Sequence, residues 1–135
     1  GVVGERLAAP VAPANPKRTA EPPSELVPEG PGAGWVDTGL RVQDLEDGAA
    51  TASSAGAMSI FLVRQGASVV ALSGICTHQA CQLVWRASDR ALACPWSSGQ
   101  AFGLDGRSLW AAGLRTLPRA RVRVVDGRIE VFGTA

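Results

Sequence analysis

All three cysteines and the only histidine of this 135-residue chain lie between positions 76 and 94. Cys76, His78 and Cys81 fall within one short stretch, and Cys94 follows after a spacer. An odd and small number of cysteines does not form a disulfide framework of the kind found in small secreted domains. The clustering predicts instead that these four side chains belong to one site.

After residue 33, the sequence has the pattern of short β-strands. Residues 58–63 form a continuous apolar run that suits a buried strand, and a Gln65-Gly66 turn leads into residues 68–72 as the returning strand. On either side of a second turn, Asp126-Gly127, valine and isoleucine alternate with charged residues, as in half-buried antiparallel strands. No stretch has helical periodicity. We therefore predict an all-β fold, a small antiparallel sandwich or barrel, with two long loops that carry the cysteines.

The first 33 residues differ from the rest in composition. They hold seven of the nine prolines and few large apolar side chains, so they bury too little surface to offset the loss of chain entropy. We expect residues 1–33 to be a linker or tail and residues 34–135 to be the folded domain. The chain does not begin with Met, which is consistent with an exported, extracytoplasmic protein and with a removed N-terminal membrane anchor.

The charge pattern gives no indication of a nucleic-acid partner. The formal net charge is +1, and six of the thirteen basic residues follow Leu104, several of them alternating with valines. Such alternation is typical of the solvated face of a strand, and no aromatic residues are interleaved with it as in a nucleic-acid platform. No apolar run in the sequence is long enough for a transmembrane helix.

The two cysteine loops have the ligand types of an iron–sulfur site. The first reads Cys-Thr-His-Gln-Ala-Cys from Cys76 to Cys81, and the second begins Cys94-Pro95-Trp96. Thiolates hold iron–sulfur clusters, and replacing two of them by imidazoles raises the reduction potential. These loops resemble those of the Rieske family, whose pattern is C-x-H, a spacer of this length, and then C-x-x-H. The resemblance extends over residues 34–132 and implies a Rieske-like antiparallel fold with a two-loop end that binds a 2Fe–2S cluster.

The resemblance places Cys76, His78 and Cys94 on three of the four ligand positions of the cluster. The fourth ligand should be a histidine near position 97, where this chain has Ser97 and Ser98. One histidine ligand is therefore missing, and the implied ligand set is incomplete.

Other positions in the loops also depart from the family pattern. Cys81 matches the first cysteine of the disulfide that links the two loops in cytochrome bc-type members, but Trp96 replaces its partner. High-potential members use a serine and a tyrosine to donate hydrogen bonds to the cluster sulfurs. Gln100 and Phe102 are the nearest equivalents here, and phenylalanine has no donor.

Two hypotheses follow from this degenerate site. In the first, a 2Fe–2S cluster is bound and the fourth ligand is Cys81, Ser97 or Ser98. In the second, the domain is a cluster-free structural or docking subunit whose loops are held by a disulfide. Cys94 is then the second-loop partner, and the family disulfide favours Cys81 over Cys76 as its mate. A third explanation, a histidine replaced by engineering or a cluster lost in preparation, stays open.

The resemblance implies one-electron transfer in a quinol-oxidising or related redox chain. The expected partners are redox proteins, namely a quinol-oxidising complex or a cytochrome. The chain would then be an electron-transfer subunit of an oxidoreductase complex rather than a stand-alone enzyme. An acid–base triad is not available, because the only histidine already belongs to the loop motif.

Overall fold

The computed structural model describes residues 22–28, 30–77, 79–95, 100–109 and 115–134. The strands in these ranges are, in chain order, β1 (Ala33–Arg41), β2 (Ala50–Ala55), β3 (Met58–Gln65), β4 (Ser68–Ser73), β5 (Val84–Arg86), β6 (Ala91–Ala93), β7 (Ala101–Phe102), β8 (Arg119–Ala120), β9 (Val122–Val125) and β10 (Arg128–Thr134). One turn of 3₁₀ helix, Val42–Asp44, follows β1. These ranges contain no α-helix, and the predicted all-β fold is confirmed.

The strands form three antiparallel sheets. One has the order β1-β10-β9, the second β2-β3-β4-β8 and the third β5-β6-β7. The third sheet is short, and both long loops of the sequence analysis flank it. The first loop leads from β4 into β5, and the second connects β6 to β7. Because β6 and β7 are adjacent in this sheet, the second loop leaves and re-enters the fold at one end.

Strand β3 lies between two hydrophobic cores, which explains its continuous apolar run. Successive side chains of a strand point to opposite faces. Phe61 and Val63 therefore pack into one core, and Ile60 and Leu62 into the other. The first core also contains Leu72, Leu83, Leu92, Phe102, Leu117 and all three cysteines. The second contains Leu45, Ile129 and Val131. The cysteine site is thus built directly onto the first core.

The Asp-Gly turn signal between β9 and β10 is confirmed. Asp126 and Gly127 have φ angles of 52° and 80°. Val125 is paired with Arg128 across them. A two-residue type I′ hairpin needs positive φ at both central positions, and Asp-Gly is among the sequences that adopt it most readily. This turn sets the register of the pair, so that Ile129 and Val131 face the second core.

The sequence pattern does not predict β2, which reads Ala-Thr-Ala-Ser-Ser-Ala. All six of its residues pair with β3, from Ala50 opposite Val63 to Ala55 opposite Met58. The position requires small side chains. A Cβ atom placed on Gly133 of β10 would lie 2.5 Å from the Cβ of Ala55. Packing at this close approach, and not strand propensity, therefore makes this segment a strand.

Part of the N-terminal segment packs against the domain. The amide of Leu26 donates to the carbonyl of Arg119 (2.7 Å), and the amide of Arg119 donates to the carbonyl of Ser24 (2.8 Å). Leu26 also contacts the second core, and Pro28 is buried. This differs from the expected linker over residues 1–33. The physical reason is that β8 is an edge strand, whose outer backbone groups can pair with a neighbouring extended segment.

Two truncations should separate the packed part of this segment from the rest. Removal of residues 1–21 should leave the free energy of unfolding unchanged, because that stretch is rich in alanine and proline and holds few large apolar side chains. Removal of residues 1–28 should lower it by about 2 kcal/mol, since two backbone hydrogen bonds and the contacts of Leu26 are lost. Urea unfolding of the two truncated chains measures the difference. Equal stabilities would show that the contact with β8 contributes nothing.

Candidate functional site

The first loop leaves β4 and closes on itself before β5. The amide of Cys76 donates to the carbonyl of Cys81 (3.0 Å), and the amide of Cys81 donates to the carbonyl of Gln79 (2.7 Å). At the base of the loop, the amide of Leu83 donates to the carbonyl of Gly74 (2.8 Å). These backbone hydrogen bonds thus bring Cys76 and Cys81 together.

Gly74 allows this loop to start close to strand β3. A Cβ atom at Gly74 would collide with the hydroxyl of Ser59. That hydroxyl donates to Oε1 of Gln82 (2.7 Å), and Nε2 of Gln82 donates to the carbonyl of Gly74 (3.1 Å). A glycine is therefore required here by close approach, and the polar pair anchors the base of the loop.

The second loop is closed at its base in a similar way. Cys94 follows β6, and its amide donates to the carbonyl of Gln100 (3.0 Å), just before β7. Beyond β7, a tight turn at Asp105-Gly106 closes a bridge between Phe102 and Ser108. Phe102 is fully buried in the first core beneath this loop. The second loop is therefore flanked by two buried strands.

The two loops contact each other through sulfur and amide groups. Cys81 and Cys94 form a disulfide with a Cα–Cα separation of 6.1 Å. The thiol of Cys76 donates to Oε1 of Gln100 (3.4 Å), and Nε2 of Gln79 donates to the Sγ atom of Cys94 (3.7 Å). The exposed fractions of the three cysteines are only 5% for Cys76, 3% for Cys81 and 1% for Cys94. All three cysteines are therefore buried in the first core.

A third segment holds the first loop from outside. The hydroxyl of Thr77 donates to the carbonyl of Arg115 (2.8 Å). Four residues later, Arg119 lies in β8 and pairs with the N-terminal segment. The loop is thereby connected to the second sheet as well as to the core.

The structure brings together three of the side chains that the sequence singles out, namely Cys76, Cys81 and Cys94. The disulfide joins the pair that the family resemblance favours. His78, Ser97 and Ser98 lie outside the described residues. The sequence analysis did not single out Thr77 and Gln79, which contact Arg115 and Cys94. The signal that could have found them is that both are polar residues inside the six-residue motif from Cys76 to Cys81.

The donor set does not fit a conventional Rieske cluster. Such a cluster needs two thiolates and two imidazoles, and this chain has a single histidine. In addition, the sulfur of Cys94 is bonded to Cys81, so it is not available as a thiolate ligand. Within the described ranges, no group of three His, Cys, Asp or Glu residues is arranged to hold a metal ion. The same ranges contain no helix that could span a bilayer, and membrane anchoring stays a prediction.

One curated relative has significant sequence similarity. The cytochrome b6-f complex iron-sulfur subunit of Chlorobaculum tepidum is 32% identical over 72 residues. The match covers 53% of this chain and 39% of that protein. The chain therefore corresponds to well under half of the length of this relative.

Solved Rieske structures share the fold. The cyanobacterial plasma membrane Rieske protein PetC3 from Synechocystis PCC 6803 superimposes with a TM-score of 0.59 at 23% identity, covering 71% of this chain and 97% of that one. The ferredoxin of carbazole 1,9a-dioxygenase from Nocardioides aromaticivorans IC177 gives 0.56 at 24% identity, covering 74% and 98%. At these identities the likeness establishes the fold alone. The family profile of the Rieske 2Fe-2S domain matches residues 35–121, which is more than half of the sequence, and the chain therefore belongs to the Rieske 2Fe-2S domain family.

Proposed function

We propose that this chain is a Rieske-type domain of a redox assembly. The domain no longer binds a 2Fe–2S cluster through two histidines and serves as a structural or docking domain. One observation carries the proposal. Cys94, which the resemblance places at a ligand position, is bonded to Cys81 across the two loops. A sulfur atom in a disulfide carries no charge to donate to iron, so the cluster and this bond exclude each other.

The chemistry of position 97 supports the same conclusion. A serine oxygen must lose its proton before it can bind iron, which is far less favourable than binding through a neutral imidazole or a thiolate.

Side-chain hydrogen bonds can hold the two loops in place without a metal. Gln79 and Gln100 bridge the loops, and Thr77 ties the first loop to Arg115. A loop end of defined shape is what a docking domain requires.

The partners and compartment follow from this lineage. Two of the proteins named above are the iron-sulfur subunit of a cytochrome b6-f complex and the ferredoxin of a carbazole dioxygenase. We infer that this domain docks within a membrane-side redox complex, on a quinol-oxidising complex or a cytochrome. The disulfide favours an extracytoplasmic location, because such bonds persist in oxidising compartments. We take residues 34–135, together with the packed residues 24–28, as the functional domain and the residues before it as its linker.

A second function, one-electron transfer by a variant cluster, is favoured by a specific observation. Cys76 and Cys94 remain on adjacent, buried loops, as the two thiolate ligands of the family would. In that case Cys76, His78 and Cys94 would bind iron, and Cys81, Ser97 or Ser98 would supply the fourth ligand.

Iron and acid-labile sulfide analysis after anaerobic reconstitution distinguishes the two functions. We expect less than about a tenth of a cluster per chain and no electron paramagnetic resonance signal after reduction with dithionite. The double variant Ser97→His/Cys81→Ala is the positive control, because it restores the second imidazole and releases Cys94. It should take up two iron and two sulfide ions per chain, as the cluster formula requires. The same stoichiometry in the wild-type protein would refute the proposal.

A further inference from the structure

Strand β9 lies at the edge of its sheet, and part of its backbone faces outward. The sheet order is β1-β10-β9, so within the described residues β9 is hydrogen-bonded to β10 alone. The amide of Phe132 donates to the carbonyl of Arg121 (2.9 Å), which fixes the alternation of hydrogen bonds along the pair. By this alternation, the N–H and C=O groups of Val122 and Val124 point away from β10. The edge therefore offers backbone groups to a further strand.

The side chains on the outer face of this edge are arginines that stack on aromatic rings. The Cζ atom of Arg121 lies 4.6 Å from the ring centre of Phe132 and 5.5 Å from that of Trp35. The Cζ atom of Arg123 lies 4.3 Å from the ring centre of Trp35. A guanidinium group that stacks on a ring keeps the N–H groups at its rim available to carboxylates. The rings therefore hold two cationic groups in place beside the open edge.

The charges of this face are not balanced within the domain. Arg123 is paired with Glu130 (2.6 Å), and Arg128 is paired with Asp37 (3.2 Å). In the part of the chain that the structure describes, Arg121 makes no ion pair, and β9 contains no acidic residue. An acidic strand complements this excess of positive charge, whereas a second copy of β9 would place arginine against arginine, which is destabilising.

Charged side chains also protect edge strands from aggregation, but two features distinguish β9 from a protected edge. Val124 and Val125 are 46% and 41% exposed, and they are two of the four large hydrophobic side chains exposed among the described residues. In addition, β9 pairs with β10 in an unbroken register, whereas β1 at the opposite edge has an irregularity between Asp37 and Arg41. Exposed valines on a regular edge suit pairing with another strand.

We propose that the β9 edge, residues 121–125, binds an extended acidic segment of a partner protein by strand addition. The partner's backbone pairs with that of Val122 and Val124. Its carboxylates lie on the outer face beside Arg121 and Arg123, and its alternate side chains lie beside Val124 on the other face. The recognised chemistry is thus a strand in which acidic residues alternate with apolar ones. Neither the cysteine loops nor a cluster takes part, so this contact is independent of the proposed function.

Peptide binding to the ¹⁵N-labelled full chain, followed by NMR, tests this surface. The probe is a short capped peptide in which glutamate alternates with valine, and the control peptide has glutamine in place of glutamate. We expect the acidic peptide to shift the amide signals of residues 121–125, to slow hydrogen exchange at Val122 and Val124, and to leave the cysteine-loop signals unchanged. The glutamine peptide should bind about tenfold more weakly, because each lost cross-strand ion pair weakens binding by up to about fivefold.

Matched variants separate the charge from the backbone contact. Arg121→Gln should weaken binding of the acidic peptide by about threefold to fivefold, whereas Arg107→Gln, which removes an exposed arginine elsewhere on the domain, should leave it unchanged. Val124→Pro removes an outward N–H group without breaking the pairing with β10, and it should weaken binding by about tenfold. A peptide methylated on the backbone amides that face β9 tests the same contact on the wild-type protein and should bind no better than the glutamine peptide.

The proposal is overturned if the acidic, glutamine and methylated peptides bind equally well, or if the shifted signals lie outside residues 121–125. It is also overturned if the protein alone forms dimers in which Val122 and Val124 are already protected, because a second copy would then occupy the edge. Cluster uptake in the separate iron and sulfide experiment would refute the proposed function and leave the peptide result to stand.

Discussion

Replacing both Cys81 and Cys94 by alanine should lower the free energy of unfolding by about 3 kcal/mol, and by more if the cavities left by the two thiols do not collapse. The disulfide links residues 13 apart in sequence, and both side chains are nearly fully buried. In the chain-entropy account, the bond stabilises the fold by restricting the unfolded chain, and a loop of this size contributes about that amount. Urea unfolding followed by tryptophan fluorescence measures the change.

The Cys76→Ala variant is the matched control, because it removes a buried cysteine that is not part of the bond. It should lose about 1 kcal/mol, and it should lose a further 3 kcal/mol when reductant is added, as the wild type does. The double variant should be insensitive to reductant. Thiol titration of the unfolded, non-reduced wild type should find one thiol per chain. Three thiols would contradict the disulfide assignment.

The Phe102→Ala variant should lose about 3–5 kcal/mol of stability, the usual range for truncating a fully buried phenylalanine. Its side chain has no exposed surface and lies in the core cluster that contains the three cysteines. Phe102 ends β7, directly after the second loop, and pairs with Leu92 of β6. The cavity should therefore loosen the loop base as well as the core. Calorimetry gives the stability change, and the rate of thiol modification at Cys76 reports the loosening.

Two further variants control for this effect. Phe102→Leu keeps most of the side-chain volume and should lose less than about 1.5 kcal/mol. Phe132→Ala removes a half-buried ring from the outer face of β10, where it meets Trp35 edge to face at 5.5 Å and Arg121 at 4.6 Å. It should lose about 1–2 kcal/mol and leave the modification rate of Cys76 unchanged. A loss below 1 kcal/mol in Phe102→Ala would show that this core does not support the site.

Much of the fold can be predicted from local sequence patterns. The continuous apolar run of β3 indicates a strand buried on both faces, and the structure places a core on each side of it. Asp126-Gly127 indicates a type I′ turn, because few other residue pairs adopt positive φ at both positions. The motif from Cys76 to Cys81, with Cys94 at the family spacing, indicates which loops meet.

Other features depend on contacts between residues that are distant in sequence. Strand β2 consists of alanine, serine and threonine and has no apolar alternation; it forms because β3 pairs with it and Gly133 approaches it closely. The N-terminal residues 24–28 lie in a proline-rich segment that by composition should not pack. They do so because the edge of β8 offers backbone groups for pairing.

The cysteine site also combines features that follow from the sequence with features that follow only from the fold. The sequence by itself determined the family, the all-β class and the presence of a single histidine, because these depend on residue identity and spacing alone. Only the tertiary structure decided how the sulfurs are used. The identities of three cysteines allow more than one pairing, whereas the packing of the loops sets the Cα atoms of Cys81 and Cys94 6.1 Å apart and directs the thiol of Cys76 to Gln100. A disulfide forms only where its two Cα atoms come within bonding reach, and that distance is a property of the fold.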